Sequence, residues 1–193
     1  MKKRLISIVL VLVLMLGMIP SVVPAAHAAS KTRTEAQVTS IVNEWIAAMN
    51  TFLKDAGKSK AYWNKDLGKE TLMKQVDNKE YAACLTTTKG KSTSNSFNGV
   101  ECNGFARYMR YVVFKEDGSW GDEYKKSKLD KNYCIKCGDI LRIDGSSTGS
   151  HYVFVYKIVF DDTNPGNDKI YFIEANWDGQ CGVGTRSKTR DQL

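Results

Sequence analysis

GVECNGFARYMRYVVF, residues Gly99–Phe114, separates two kinds of sequence in this chain, and its reading sets the fold class. A helix starting near Cys102 puts Phe105, Met109, Val112 and Val113 on one apolar face, which predicts a buried helix with its first turn in a cleft. Gly99 and Gly104 loosen the entry. A thiol in that turn feels unpaired N–H groups and the positive end of the helix dipole, and both favour the nucleophilic thiolate. A cysteine outside a disulfide is more often a small buried hydrophobe, so Cys102 alone decides nothing.

Before this stretch the apolar period is helical. Val38, Ile41, Val42, Trp45, Ile46, Met49, Phe52 and Leu53 recur between Thr34 and Lys54, a span of about five turns. Thr34 is the expected N-cap and Ala56-Gly57 the stop. A Trp and Met stripe at this spacing reads as core packing. Short helices are expected in ETLMKQV and around YAACL. Thr87 to Gly99 then reads as an exposed loop, either a wall of the cleft or a plain connector.

After it the period changes. A loop with Gly118, Gly121 and the lysine-rich KKSKLDK gives way to apolar runs at Ile135 with Ile140 to Ile143, at His151 to Phe160 and at Lys169 to Ala175. The turn clusters DGSSTGS and DDTNPGND separate them, the second reading as a hairpin turn. Helices followed by an antiparallel sheet make the class α+β, with the helices on one side of the sheet.

The first residues bear on compartment. Lys2, Lys3 and Arg4, then the apolar run Leu5 to Ile19, then Ala26-His27-Ala28 form the pattern of a secretory signal peptide at residues 1–28. The run is too short for a membrane span, so an exported protein with no membrane association after cleavage is expected. Cleavage after Ala28 would leave 165 of the 193 residues, divided as a helical segment at 29–61 and a catalytic domain at 62–193. It would remove three of the 28 basic residues and none of the 21 acidic ones, lowering the formal charge from +7 to +4. That mild balance suits anionic cell-wall polymer, and no interleaving of arginine with aromatics points to nucleic acid. It would also leave His151 as the only histidine.

Five cysteines in an exported chain fit two disulfides and one thiol, with Cys102 the odd one out. Cys84, Cys134, Cys137 and Cys181 then allow three pairings, and sequence does not choose among them. Cys134-x-x-Cys137 runs into Gly138-Asp139 and a strand, whereas a redox pair opens a helix after a strand. A zinc site would need Cys84 and Cys181 to converge on it, and neither lies in a second C-x-x-C. No metal or other cofactor is expected.

His151 opens the strand HYVFVYKI, and the next strand, IYFIEANW, presents Glu174 and Asn176 two residues apart and so on one face. A nucleophilic thiol needs a base to take its proton. The base in turn needs a polar group on its other nitrogen to fix its tautomer and stabilise its charge. Each residue has an ordinary structural role when taken singly. Together, Cys102, His151 and either Glu174 or Asn176 supply all three functions.

From Tyr62 to the C-terminus the chain resembles the CHAP domain of bacterial cysteine amidases and peptidases, a group related to the NlpC/P60 enzymes. The resemblance is carried by ECNGFARYM, GDILRI, the position of His151 and EANWDG. It implies a papain-like core, Cys102 as nucleophile, His151 as general base and then acid, and Glu174 and Asn176 as third member and supporting amide. It also implies an oxyanion site formed by the Cys102 N–H and one further donor, and a monomer that cleaves peptidoglycan at the muramoyl-L-alanine amide or within the stem peptide or cross-bridge. Two positions depart from the pattern: Glu101 stands where many members have Gln, and Tyr152 where a small residue commonly follows the histidine. The rival expectations are a secreted binding protein with a lapsed site and a disulfide-stapled structural domain in which Cys102 is bonded.

Overall fold

Thr34 starts the first helix through a capping box. Its hydroxyl accepts the Gln37 N–H and the Gln37 side chain accepts the Thr34 N–H, satisfying two donors that the helix start would leave unmatched. Helix α1, Glu35–Asp55, buries Val38, Val42, Trp45 and Met49 along one stripe and stops at Ala56 and Gly57, the latter at φ +61°. The computed structural model describes residues 33–64, 67–90, 97, 101–115, 123–125, 135–144 and 150–193. The leader, Cys134, all of KKSKLDK after Lys125, and most of the DGSSTGS turn and of the 87–99 loop lie outside them. Lys31–Leu193 forms one compact unit, in which α1 packs against the later elements.

Strand β1, Tyr62–Trp63, pairs antiparallel with β2, Leu85–Thr86, across helix α2, Lys69–Asp77, and a 3₁₀ turn at Tyr81–Cys84. Helix α3, Glu101–Phe114, buries Phe105, Tyr108, Met109, Val112 and Val113. Its aromatic residues join Trp45, Trp63 and Phe97 in a cluster whose ring centroids lie 4.6–6.4 Å apart. Phe97 is fully buried, so this part of the predicted exposed loop is anchored in the core.

The sheet has five strands in chain order: β3 (Glu123–Lys125), β4 (Ile140–Asp144), β5 (Ser150–Val159), β6 (Lys169–Ala175) and β7 (Val183–Thr189). β4 to β7 are antiparallel, as the hairpin signals predict, but β3 pairs parallel with β4, so the sheet is mixed. β3 and β7 escape sequence reading because EYK is too short for a period and VGTRSKT has one large apolar residue. Alternation sends Ile140, Phe154, Ile173 and Ala175 into the core shared with the helices. Leu141, Val153, Val155, Ile170 and Phe172 line the other face, where Ile135 and Leu193 cover them. The fold is α+β, with α1 and α3 against one face of the sheet.

Cys84, Cys102, Cys137 and Cys181 all carry reduced thiols, so the expected two disulfides are not formed in this structure. Each of the three pairings needs at least one bond between two of these four. Cys84 is instead a link in a buried polar thread. Trp45 Nε1 donates to the Tyr108 hydroxyl at 3.3 Å, that hydroxyl donates to Cys84 Sγ at 3.0 Å, and the thiol donates to Gln75 Oε1 at 3.2 Å.

Candidate active site

Helix α3 opens at Glu101, which puts Cys102 in its first turn, where backbone N–H groups lack carbonyl partners. His151 is the second residue of β5, at the end of the sheet. Alternation groups it with Val153 and Val155, and groups Glu174 with Phe172 and Ile170, so both fall on the same side of the β5–β6 pair. The structure joins the three. His151 Nε2 lies 2.8 Å from Glu174 Oε2, and the imidazole is hydrogen-bonded to Cys102. With Nε2 taken by the carboxylate, Nδ1 is the nitrogen left for the thiol.

Three groups, His151 and Glu174 buried and Cys102 half-buried, now set one another's charge. Burial opposes the Cys102 thiolate, but the His151 hydrogen bond, backbone hydrogen bonds from Tyr152 and Asn103 and the imidazole charge outweigh it, and the thiol titrates below its ordinary range. Burial also opposes the imidazolium, yet hydrogen bonds and charges from Cys102 and Glu174 raise His151 to about 9. Glu174, fully buried, is held low against the same desolvation by His151 and Arg186. The shifts of all three groups favour one charge arrangement, a thiolate–imidazolium pair backed by a carboxylate.

Other thiols behave in the opposite way. Burial pushes Cys84 up to about 12, and burial with the nearby Glu35 charge pushes Cys137 up to about 11.

Asn176 is not part of this chain. It lies just past β6 at φ +65°, so strand alternation with Glu174 ends before it. Its Oδ1 accepts the Cys181 N–H at 2.9 Å and its Nδ2 donates to Glu101 Oε2. Of the two candidates for orienting His151, Glu174 holds the ring. Glu101 is fully buried beside Cys102, its carboxylate facing Asn176.

The residue that sequence reading missed is Arg186 on β7. Its Nε donates to Glu174 Oε1 and its second terminal nitrogen to Oε2 at 2.8 Å, a two-pronged grip on the carboxylate. The polar run TRSKT hides it. The available signal was Glu174 itself, since a carboxylate inside the apolar strand IYFIEA calls for cationic partners.

Among the described residues no group of three or more His, Cys, Asp or Glu side chains is arranged to hold a metal, and no helix is long and apolar enough to cross a membrane.

No family model, curated protein or solved structure matches this chain.

Proposed function

We propose that the chain is an exported cysteine hydrolase with a papain-like, CHAP-type core, cleaving an amide or peptide bond in peptidoglycan and working as a monomer without a cofactor. The observation that carries the reading is the continuous hydrogen-bonded series Cys102, His151, Glu174, with the thiol at a helix start and the carboxylate fully buried.

In this reading the Cys102 thiolate attacks the carbonyl carbon, and the negative charge passes to the carbonyl oxygen, met by the Cys102 N–H and one further donor. The C–N bond breaks as the His151 imidazolium gives its proton to the leaving nitrogen, which departs as the amine. The acyl group stays on Sγ as a thioester. His151, now neutral, takes a proton from water as the hydroxide equivalent attacks the thioester; the C–S bond breaks, the acyl group departs as the carboxylic acid, and Sγ leaves as the thiolate, which restores the ion pair. Glu174 stabilises the imidazolium at both stages without itself taking the proton. The reading of a lapsed binding site requires an ordinary thiol at Cys102, and the hydrogen bond to His151 argues for the active alternative.

Mass spectrometry of purified peptidoglycan after digestion tests the proposal. Wild type should release new N-terminal L-alanine if it is an amidase, or new ends within the stem or bridge if it is an endopeptidase, and Cys102→Ala should release neither while remaining folded. A wild type that opens no wall from any source, with Cys102 inert to iodoacetamide, overturns it.

A further inference from the structure

Arg186 stands diagonal to Glu174 across the β6–β7 ladder. Phe172 pairs with Arg186 and Glu174 with Gly184, so the guanidinium reaches the carboxylate past a residue without a side chain. The fork is itself held. It lies over the Phe172 ring at 5.8 Å and the Trp177 ring at 5.7 Å, and Lys60, ion-paired to Asp178 at 2.9 Å, approaches the same indole at 5.4 Å. Planar stacking and two-pronged contact with a carboxylate are properties of arginine that lysine does not share. The Arg186 side chain is 45% exposed while that of Glu174 is 0% exposed, so the arginine brings a partly solvated charge to a desolvated one.

Glu174 has two cationic neighbours, and His151 has two anionic ones. Cys102 as thiolate, His151 as imidazolium, Glu174 as carboxylate and Arg186 as guanidinium alternate in sign and cancel. We propose that Arg186 is a positioning residue of this site, acting through Glu174 to close a neutral Cys102–His151–Glu174–Arg186 chain that keeps the thiolate–imidazolium pair populated. Without Arg186 the buried part carries a net negative charge. Protonating Glu174 or Cys102 would relieve it, and either event dissolves the ion pair. Among the described residues, Glu101 on α3 is held by Asn176, Arg142 on β4 lies over the Tyr152 ring, and the residue opposite His151 on β4 is the apolar Ile143. None of these contacts replaces the Arg186 fork.

The proposal rests on the hydrolase reading for its significance, but its test needs no turnover. The imidazole titration of the full chain is followed by NMR, with the two histidines told apart by His27→Gln, alongside the pH dependence of Cys102 alkylation by iodoacetamide. Arg186→Met should move the His151 midpoint by about one unit or more and slow alkylation near pH 6 about tenfold. Arg186→Lys, which keeps the charge but loses the fork, should recover part of both. A folded Arg186→Met with wild-type titration and alkylation would mean that Arg186 only packs, and overturns the proposal. Should Arg186→Met not fold, Arg186→Gln takes its place, and an unchanged midpoint in that neutral variant overturns the proposal equally. Loss of peptidoglycan cleavage in wild type, with these shifts intact, would defeat the substrate assignment and leave Arg186 in place.

Discussion

His151 Nε2 and Glu174 Oε2 are 2.8 Å apart, and the carboxylate that makes this contact is completely shielded from water. A hydrogen bond of this kind fixes the tautomer as well as the ring angle, because a carboxylate can only accept the Nε2 proton. Glu174→Gln keeps the shape and removes the charge. The expected result is a His151 midpoint that moves down from about 9 and a hydrolysis rate lower by roughly 10²–10⁴-fold. NMR titration and steady-state kinetics check the two parts. Equal loss from Asn176→Ala and Glu174→Gln, with an unmoved His151, would show that the ring is not held this way.

The pH profile follows from the directions of the shifts. Cys102 titrates below its usual range, so the thiolate forms at a lower pH than in an ordinary thiol; His151 is raised to about 9, so the imidazolium survives to that pH. Acyl transfer needs both, and activity should trace a bell, falling on the acid side as the thiolate takes a proton and on the alkaline side near 9 as the imidazolium loses one. Thiolate reactivity alone should not fall at the alkaline end. Iodoacetamide rates that rise only through about 8.5, the ordinary thiol value, would refute the ion pair.

The legible parts of the fold were those with a period or a cap. Thr34, the α1 stripe, the α3 face and the β5–β6 hairpin all follow from local spacing, as does Cys102 in the first turn of α3. Pairing across distance was not legible. Nothing local in EYK says that β3 lies parallel to β4, and nothing in TRSKT says that Arg186 reaches Glu174. Cys84 shows a further reason. Parity of the cysteine count suggested bridges, whereas tertiary packing put that thiol between Tyr108 and Gln75. The role of Asn176 turned on a left-handed backbone that the strand pattern of EANW does not announce.

The Tyr108 hydroxyl is the joint between Trp45 Nε1 and Cys84 Sγ, and all three residues are fully buried. Tyr108→Phe keeps the ring packing against Trp63 and Phe105 but strands a buried indole N–H. The expected loss is about 1–3 kcal/mol of unfolding free energy, read from urea denaturation as a lower midpoint at unchanged slope. Cys102 alkylation should be unaffected, since the thread does not reach the site. An unchanged midpoint would mean that the thread contributes nothing net.

Glu101 and Asn176 make opposite predictions for two substitutions that each change only an amide to an acid or the reverse. Glu101→Gln still offers Asn176 Nδ2 a carbonyl oxygen, so the protein should fold normally and hydrolysis, where present, should stay within several-fold of wild type. Asn176→Asp sets a second carboxylate against the fully buried Glu101 and turns the donor into an acceptor. The expected cost is about 3 kcal/mol or more at neutral pH. Asn176→Gly separates side chain from backbone. It accepts the +65° φ without strain but gives up the bonds to Glu101 and to the Cys181 N–H, and should cost about 1–3 kcal/mol. Urea denaturation of the three variants should therefore rank Glu101→Gln the most stable, then Asn176→Gly, then Asn176→Asp. If Glu101→Gln is the most destabilised of the three, Glu101 holds the α3 start through its negative charge and not through the contact with Asn176.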